Sequence, residues 1–354
     1  MPRSVRIAAL LLLLPLVACS GMEARDEPGD QPSPEVSSSD PASTAPEAEP
    51  SSPDGQTPTA DPLPPVTNAV SLPAVMREKP TPTRIQRQRL VVETDAYTRH
   101  EVTYRSGDLT VSGILIVPRG KGPFPGIVLN HGYIDPSYYV TGQGLAREQD
   151  WLARAGFVVL HTDYRGHAAS DPASAMSRET RLGYTRDAIN AVRALKREPY
   201  VDPERMAMLG RSMGGGVTLN ALVTRPGLVD AGVIYASVSS RYLDNLRHFT
   251  FPNRPEEARA FYDRFGTPRE EPRFYRELSS RTYFDRITEP VLMHHGTDDE
   301  SCPFPWARTT HRLLRESGVD AQLEVYPGEM HSFVPRWQDS IVRTVAFLRR
   351  QLNR

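Results

Sequence analysis

Short apolar runs alternate with longer amphipathic stretches over most of the chain. The segment "EVTYRSGDLTVSGILIVPRG" alternates apolar and polar positions around a central "SGD", which predicts a hairpin at the edge of a sheet. The strand-like runs beyond it are "PGIVLN", "GFVVLHTDY", "RMAMLG", "AGVIYASV", "EPVLMHHG" and "AQLEVYPG". Helical patterns follow five of them, at about 144–155, 178–197, 213–224, 305–317 and 334–352. Continuous apolar strands separated by helices predict an α/β protein with a mostly parallel sheet covered on both faces. Residues 240–288 break the rhythm, being polar, aromatic-rich and helix-prone. They read as a small helical insertion over the C-terminal edge of the sheet, where open α/β folds place ligands, or as a packing helix with a long loop.

The first part of the chain has no such pattern. Residues 1–19 carry Arg3 and Arg6, then an apolar run, then small residues and Cys19, as in a secretory signal too short for a confident membrane span. The ending "LVAC" resembles the lipobox of bacterial lipoproteins, which implies cleavage before Cys19, lipid on its sulfur and an exported protein anchored to the cell envelope. Residues 20–82 are rich in Pro, Ser, Thr and acid. Between Met22 and Met76 ten acidic residues face one basic residue, Arg25, so little apolar surface is available to offset ordering entropy. This segment reads as a disordered tether with a reach of roughly 45 Å, preceding a globular domain at 83–354. With Cys19 lipidated, Cys302 is the only cysteine left and no disulfide forms within the mature chain. The formal charge is −1 for the whole chain and becomes −3 once Arg3 and Arg6 are removed, which points to neither nucleic acid nor an acidic surface.

The candidate chemistry begins at Gly210, Arg211, Ser212, Met213, Gly214, a GxSxG pattern between the strand "RMAMLG" and the helix "GGGVTLNALV". That setting is the one a nucleophile elbow requires: the glycines remove bulk so that strand and helix pass closely and the serine Oγ is pushed into the open. A serine hydroxyl is a weak nucleophile, so it needs a base within hydrogen-bond reach and a third group to orient the base. In this order of elements both belong to later loops. His331 is the only histidine in "YPGEMHSFVP" and is the candidate base; the acid lies among Asp298, Asp299 and Glu300 in "HHGTDDESCPF". The backbone N–H of Met213, at a helix start, is a candidate oxyanion donor. His131, His161, His167, His294 and His295 lack ligand spacing and read as satisfied structural histidines, with no metal or cofactor expected. Cys302 reads as buried packing.

"GRSMGGG", "YPGEMHSF" and the run from Tyr275 to Phe304 together resemble the catalytic domain of the prolyl oligopeptidase family, serine peptidases with an α/β-hydrolase fold. The family's HGxxD spacing, counted from Gly296, implies Asp299 as the acid, leaving Asp298 as the alternative and Glu300 as a solvated loop charge. His131 and Gly132 resemble the superfamily's HG pair, which implies the backbone of Tyr133 as second oxyanion donor; the family also uses a tyrosine hydroxyl in this region. Large members carry a β-propeller before the hydrolase domain, and in dipeptidyl peptidases acidic residues hold the substrate's amino terminus. The tether is too short for a propeller, so exopeptidase specificity is not carried over. Three functions follow: a serine peptidase acting on short peptides or acyl-peptides, a carboxylesterase using the same triad, or a non-catalytic binding lipoprotein.

Overall fold

The structure, a computed structural model, describes residues 63–353. The leader, Cys19 and residues 20–62 lie outside the described residues. Nine strands form one sheet: β1 (Gln86–Glu93), β2 (Tyr97–Ser106), β3 (Leu109–Pro118), β4 (Phe124–Asn130), β5 (Val158–Thr162), β6 (Val201–Arg211), β7 (Ala231–Tyr235), β8 (Val291–Gly296) and β9 (Ala321–Tyr326). They lie in the order β1-β2-β3-β5-β4-β6-β7-β8-β9. Pairing is antiparallel from β1 through β3 to β5 and parallel from β5 onward.

The helices are α1 (Leu72–Arg77), α2 (Ala146–Arg154), α3 (Ala175–Thr180), α4 (Leu182–Leu195), α5 (Met213–Thr224), α6 (Tyr242–Asn245), α7 (Phe251–Asn253), α8 (Pro255–Phe265), α9 (Pro272–Glu277), α10 (Phe304–Glu316) and α11 (Trp337–Leu352). The central parallel strands carry apolar side chains on both faces because alternate residues enter two different cores. Val128, Met206, Met208 and Met293 pack with α4, α5 and α10; Ile127, Leu129, Ala207, Leu209 and Leu292 pack with α2 and α11. Among the described residues no helix is long and apolar enough to cross a membrane.

Three expectations are corrected. The "SGD" hairpin is β2–β3, but it is not the edge: β1 pairs outside it, with all eight residues exposed and register shifts between Arg87 and Arg89 and between Leu90 and Val92. An edge strand with no buried face lacks the alternation that marks its neighbours. The helix expected over 178–197 is two helices, broken at Arg181, whose backbone turns left-handed at φ 62°. The tether does not run to Pro82. Ser71 caps α1 by accepting a hydrogen bond from the Ala74 N–H, and Leu72, Val75 and Met76 are buried in the core shared with α4 and α5. Six residues of helix are too short to show a period within an acidic, proline-rich stretch.

The insertion folds into the short helices α6–α9, a π-helical turn at Leu246–Thr250 and a 3-10 segment at Ser280–Arg286. Phe261, Phe274 and Tyr275 are buried with Tyr242 in its own aromatic cluster. It borders the loops beyond the strand ends: His248 Nε2 lies 3.1 Å from the Ser301 carbonyl, and the Arg254 guanidinium sits 5.7 Å from the Tyr133 ring.

Because Leu72 has no exposed surface, Leu72→Ala is expected to cost roughly 2–5 kcal/mol of stability, read from the denaturant midpoint. An unchanged midpoint would return α1 to the tether.

Candidate active site

The C-terminal end of β6 runs into Ser212, whose backbone is held at φ 54°, ψ −120°, and α5 starts at the next residue. The conformation is one that residues with a Cβ rarely adopt, and hydrogen bonds hold it. The Ser212 N–H donates to Tyr235 O at 2.9 Å, and Ser212 O accepts from the Gly215 N–H at 3.0 Å. The glycines around it are dictated by contact. A Cβ on Gly210 would lie 2.1 Å from Gly214 O, and one on Gly214 would lie 1.9 Å from Asn130 O. Gly132, on the loop after β4, is also close: a Cβ there would stand 3.2 Å from Ser212 Cβ.

The loop after β8 carries Asp299 and the loop after β9 carries His331, and the structure brings these two together. His331 Nδ1 lies 2.9 and 3.0 Å from the two Asp299 oxygens. Asp299 also accepts from the N–H groups of Ser301 and Cys302 at 3.0 and 2.7 Å, and His295 Nε2 lies 3.2 Å from its second oxygen. Burial works to raise this carboxyl, but the hydrogen bonds from His295, His331 and the Cys302 amide outweigh it and hold Asp299 well below the usual carboxylate range. Asp298 is exposed and accepts only from the Thr297 hydroxyl at 2.8 Å, away from His331.

Two loops of different origin must keep one geometry, and several polar contacts pin them. Buried Glu329 accepts from the N–H groups of Met330, Val334 and Arg336 at 3.1, 3.1 and 2.6 Å. Arg211, the variable residue of GxSxG, donates to Ser332 O at 3.1 Å, and Arg147 donates to Ser332 O and Phe333 O at 3.0 and 3.1 Å. Glu300 is not merely a solvated charge: it accepts from the His331 N–H at 3.1 Å.

Ser212 Oγ forms no hydrogen bond to His331 in this structure; its side-chain neighbour is Cys302 Sγ at 4.0 Å. Burial and the Asp299 charge push the Cys302 thiol up to about 12, so it stays protonated and is no competing nucleophile. The backbone N–H groups of Met213 and Tyr133 donate to no group among the described residues, which leaves both free for an anionic oxygen next to Ser212. The Tyr133 side chain is half exposed and lies under Arg254.

Sequence reasoning missed His295, Glu300 and Cys302 as parts of this site, because nothing in their spacing marks contact with the acid, the base loop or the serine. Among the described residues no three His, Cys, Asp or Glu side chains converge as ligands of a metal ion. His294 is hydrogen bonded through both ring nitrogens, to the Tyr326 and Thr344 hydroxyls, whereas both His131 nitrogens face carbonyl oxygens, of Gly132 at 2.6 Å and Asp163 at 3.3 Å, so the neutral ring donates to one of them. His161 is an exception to the satisfied pattern, since both its nitrogens are sealed without a partner and it stacks 5.5 Å from His131.

A profile described as the prolyl oligopeptidase family matches residues 144–354. An uncharacterized peptidase of Bacillus subtilis, YtmA, is 24% identical over 261 residues, covering 73% of this chain and 96% of its own. The chain spans only 35% and 32% of two longer curated relatives. Among solved structures, Pyrococcus horikoshii acylaminoacyl peptidase aligns with a TM-score of 0.59 at 22% identity, over 73% of this chain and 42% of that one. Acetyl xylan esterase from Paenibacillus sp. R4 aligns with a TM-score of 0.61 at 20% identity, over 78% of this chain and 92% of that one. These likenesses establish the α/β-hydrolase type of fold.

Burial holds His131 at about 4 and His294 at about 3, both below the ordinary 6.5. Below pH 6.5 the unfolded chain therefore binds protons that the native state refuses. Their contribution is complete above pH 6.5 and is lost as pH falls toward 4 and 3. The thermal midpoint should fall between pH 6.5 and about 4 at constant ionic strength, and less steeply in His294→Gln; a flat profile would contradict it.

Proposed function

The chain belongs to the prolyl oligopeptidase family, and from that premise we propose that this serine hydrolase cleaves short peptides or acyl-peptides through an acyl-Ser212 intermediate. The hydrogen-bonded pair of Asp299 and His331, beside a strained serine with free N–H groups, is the observation that carries this assignment. His331 Nε2 takes the Ser212 proton as Oγ attacks the substrate carbonyl, and then gives that proton to the leaving amine or alcohol. Asp299, ionised and tied down by four donors, orients Nδ1–H and stabilises the imidazolium while it exists. The N–H groups of Met213 and Tyr133 receive the oxyanion of each tetrahedral intermediate. Water then repeats the sequence on the acyl-enzyme and regenerates Ser212. The open Ser212–His331 contact fits this scheme, since catalytic hydrogen bonds commonly tighten only in the substrate complex.

A carboxylesterase is the second candidate, favoured by the acetyl xylan esterase whose length this chain covers almost entirely. Ester and amide hydrolysis share the acyl-enzyme step, so the same residues serve both. Export through residues 1–19, lipid on Cys19 and anchorage to the cell envelope complete the proposal, supported by the Arg-led apolar run and the "LVAC" ending. Cys19→Ser is then expected to move the protein from the membrane to the soluble fraction.

A fluorophosphonate probe should label the wild type and leave Ser212→Ala unlabelled; labelling that survives in the alanine variant would end the assignment. Asp299→Asn should lower kcat/KM by roughly 10⁴-fold, as loss of an orienting aspartate does in such triads, and Asp298→Asn by much less. Turnover of p-nitrophenyl esters with none of p-nitroanilides would select the esterase.

A further inference from the structure

We propose that the cavity enclosed by the ends of α1 and α5, the outer face of α4 and the β2–β3 turn is a second binding site, and that its ligand is a phosphate monoester of a small organic molecule. The proposal is independent of the hydrolase assignment, since none of Ser212, Asp299 and His331 lines this space. The cavity holds about 390 Å³, within the range of small-molecule sites. Its wall gathers Lys79 from beyond α1, Asp108 from the β2–β3 turn, Arg186, Ile189 and Arg193 from α4, and Arg225 from the end of α5. Positions 186, 189 and 193 are three and four residues apart and so share one face of α4.

The charges around this space do not balance. Five cations line it, the fifth being Arg165, against the carboxylates of Glu78 and Asp108. Two of the five are neutralised: Arg186 Nε lies 2.8 and 2.9 Å from the Glu78 oxygens, and Arg165 Nη2 donates to buried Asp187 at 2.7 Å. Lys79, Arg193 and Arg225 form no ion pair among the described residues. Arg193 Nε is sealed without a hydrogen-bond partner. Arg225 is fixed by neutral groups, donating from Nη1 to Met76 O at 2.8 Å and from Nη2 to Glu78 O at 2.7 Å, so its fork is oriented while its charge is unmet. Burial lowers the pKa of both Arg193 and Arg225, and the next effect on Arg225 is the charge of Arg193, so the two guanidinium groups repel each other. Asp108, on the exposed turn, has no cation partner among the described residues, which leaves three positive charges facing one negative.

Like charges gathered around one space are costly, and a ligand with more than one negative charge removes that cost. A phosphate monoester carries about −1.5 to −2 charge at neutral pH on three acceptor oxygens. A carboxylate or a sulfate ester brings only one negative charge. Two guanidinium forks and an ammonium supply charge-assisted donors for the three oxygens. A phosphate group by itself leaves most of this cavity empty. Val75, Leu109 and Ile189 provide apolar wall beside the cations, which suits an organic portion attached to the phosphate.

The test is calorimetric titration of the full chain with phenyl phosphate, phenyl sulfate and inorganic phosphate, after fluorophosphonate treatment to block Ser212. Phenyl phosphate should bind one to one, more tightly than phenyl sulfate, which has nearly the same shape and one charge fewer, and more tightly than inorganic phosphate. Its affinity should fall by about 10- to 100-fold in Arg193→Gln, the range for a hydrogen bond to a charged group, and by less in Lys79→Gln. It should also weaken as salt is raised, a wild-type measurement that holds even if a variant does not fold. Fluorophosphonate labelling of both variants at the wild-type rate would show that they fold and that this site is separate from Ser212. A wild type that binds no phenyl phosphate, or an affinity unchanged in both variants, would overturn the site. Phenyl sulfate bound as tightly as phenyl phosphate would overturn the phosphate assignment, and inorganic phosphate bound as tightly would overturn the organic portion.

Discussion

Strand β6 and helix α5 approach so closely at Ser212 that the carbonyl of Gly214 and the backbone of Asn130 occupy the space side chains would need. That contact fixes the rest of the site. It forces glycine at 210 and 214, turns Ser212 to φ 54° and lifts Oγ out of the sheet edge. It also presses the loop after β4 against the serine, where a Cβ on Gly132 would stand 3.2 Å from Ser212 Cβ. A serine in a relaxed turn would have neither the exposure nor the two donors. The strain is tolerated because the fully buried strands on either side over-determine the backbone.

The second half of the site is held by hydrogen bonds from charged side chains as well as by the burial of Phe333. The loops that carry Asp299 and His331 leave adjacent strands, β8 and β9. Glu329, Arg211 and Arg147 occupy the carbonyl and amide groups of the base loop, while Glu300 joins that loop to the acid loop. Arg211 joins both halves, since it precedes Ser212 and donates to Ser332 beside His331. His295 serves the same end from beneath, bridging Asp299 and the Cys302 carbonyl.

How much of this could be read in the sequence depends on how local each cause is. The buried strands, helix α5 and the glycine pattern around Ser212 were legible because their causes lie within a few residues: continuous apolar runs and a missing Cβ. The two later loops could be ordered along the chain, but choosing between Asp298 and Asp299 needed a resemblance, because adjacent carboxylates differ only in which one the fold turns inward. Strand β1 was missed because no residue of it is buried, and α1 because its apolar cluster is short and set in an acidic stretch. The break at Arg181 is marked in the sequence only by Gly183, two residues on. The roles of His295, Glu300 and Cys302 are products of contacts between distant segments.

The outer strand has a consequence for how the molecule behaves in company. β1 offers one open edge of the sheet, with Leu90, Val91 and Val92 exposed, and such an edge invites another chain to add itself. Its two register shifts kink the ladder, and Arg87, Arg89 and Glu93 would crowd an incoming strand with charge. Register shifts and charge at an open edge oppose the addition of a further strand.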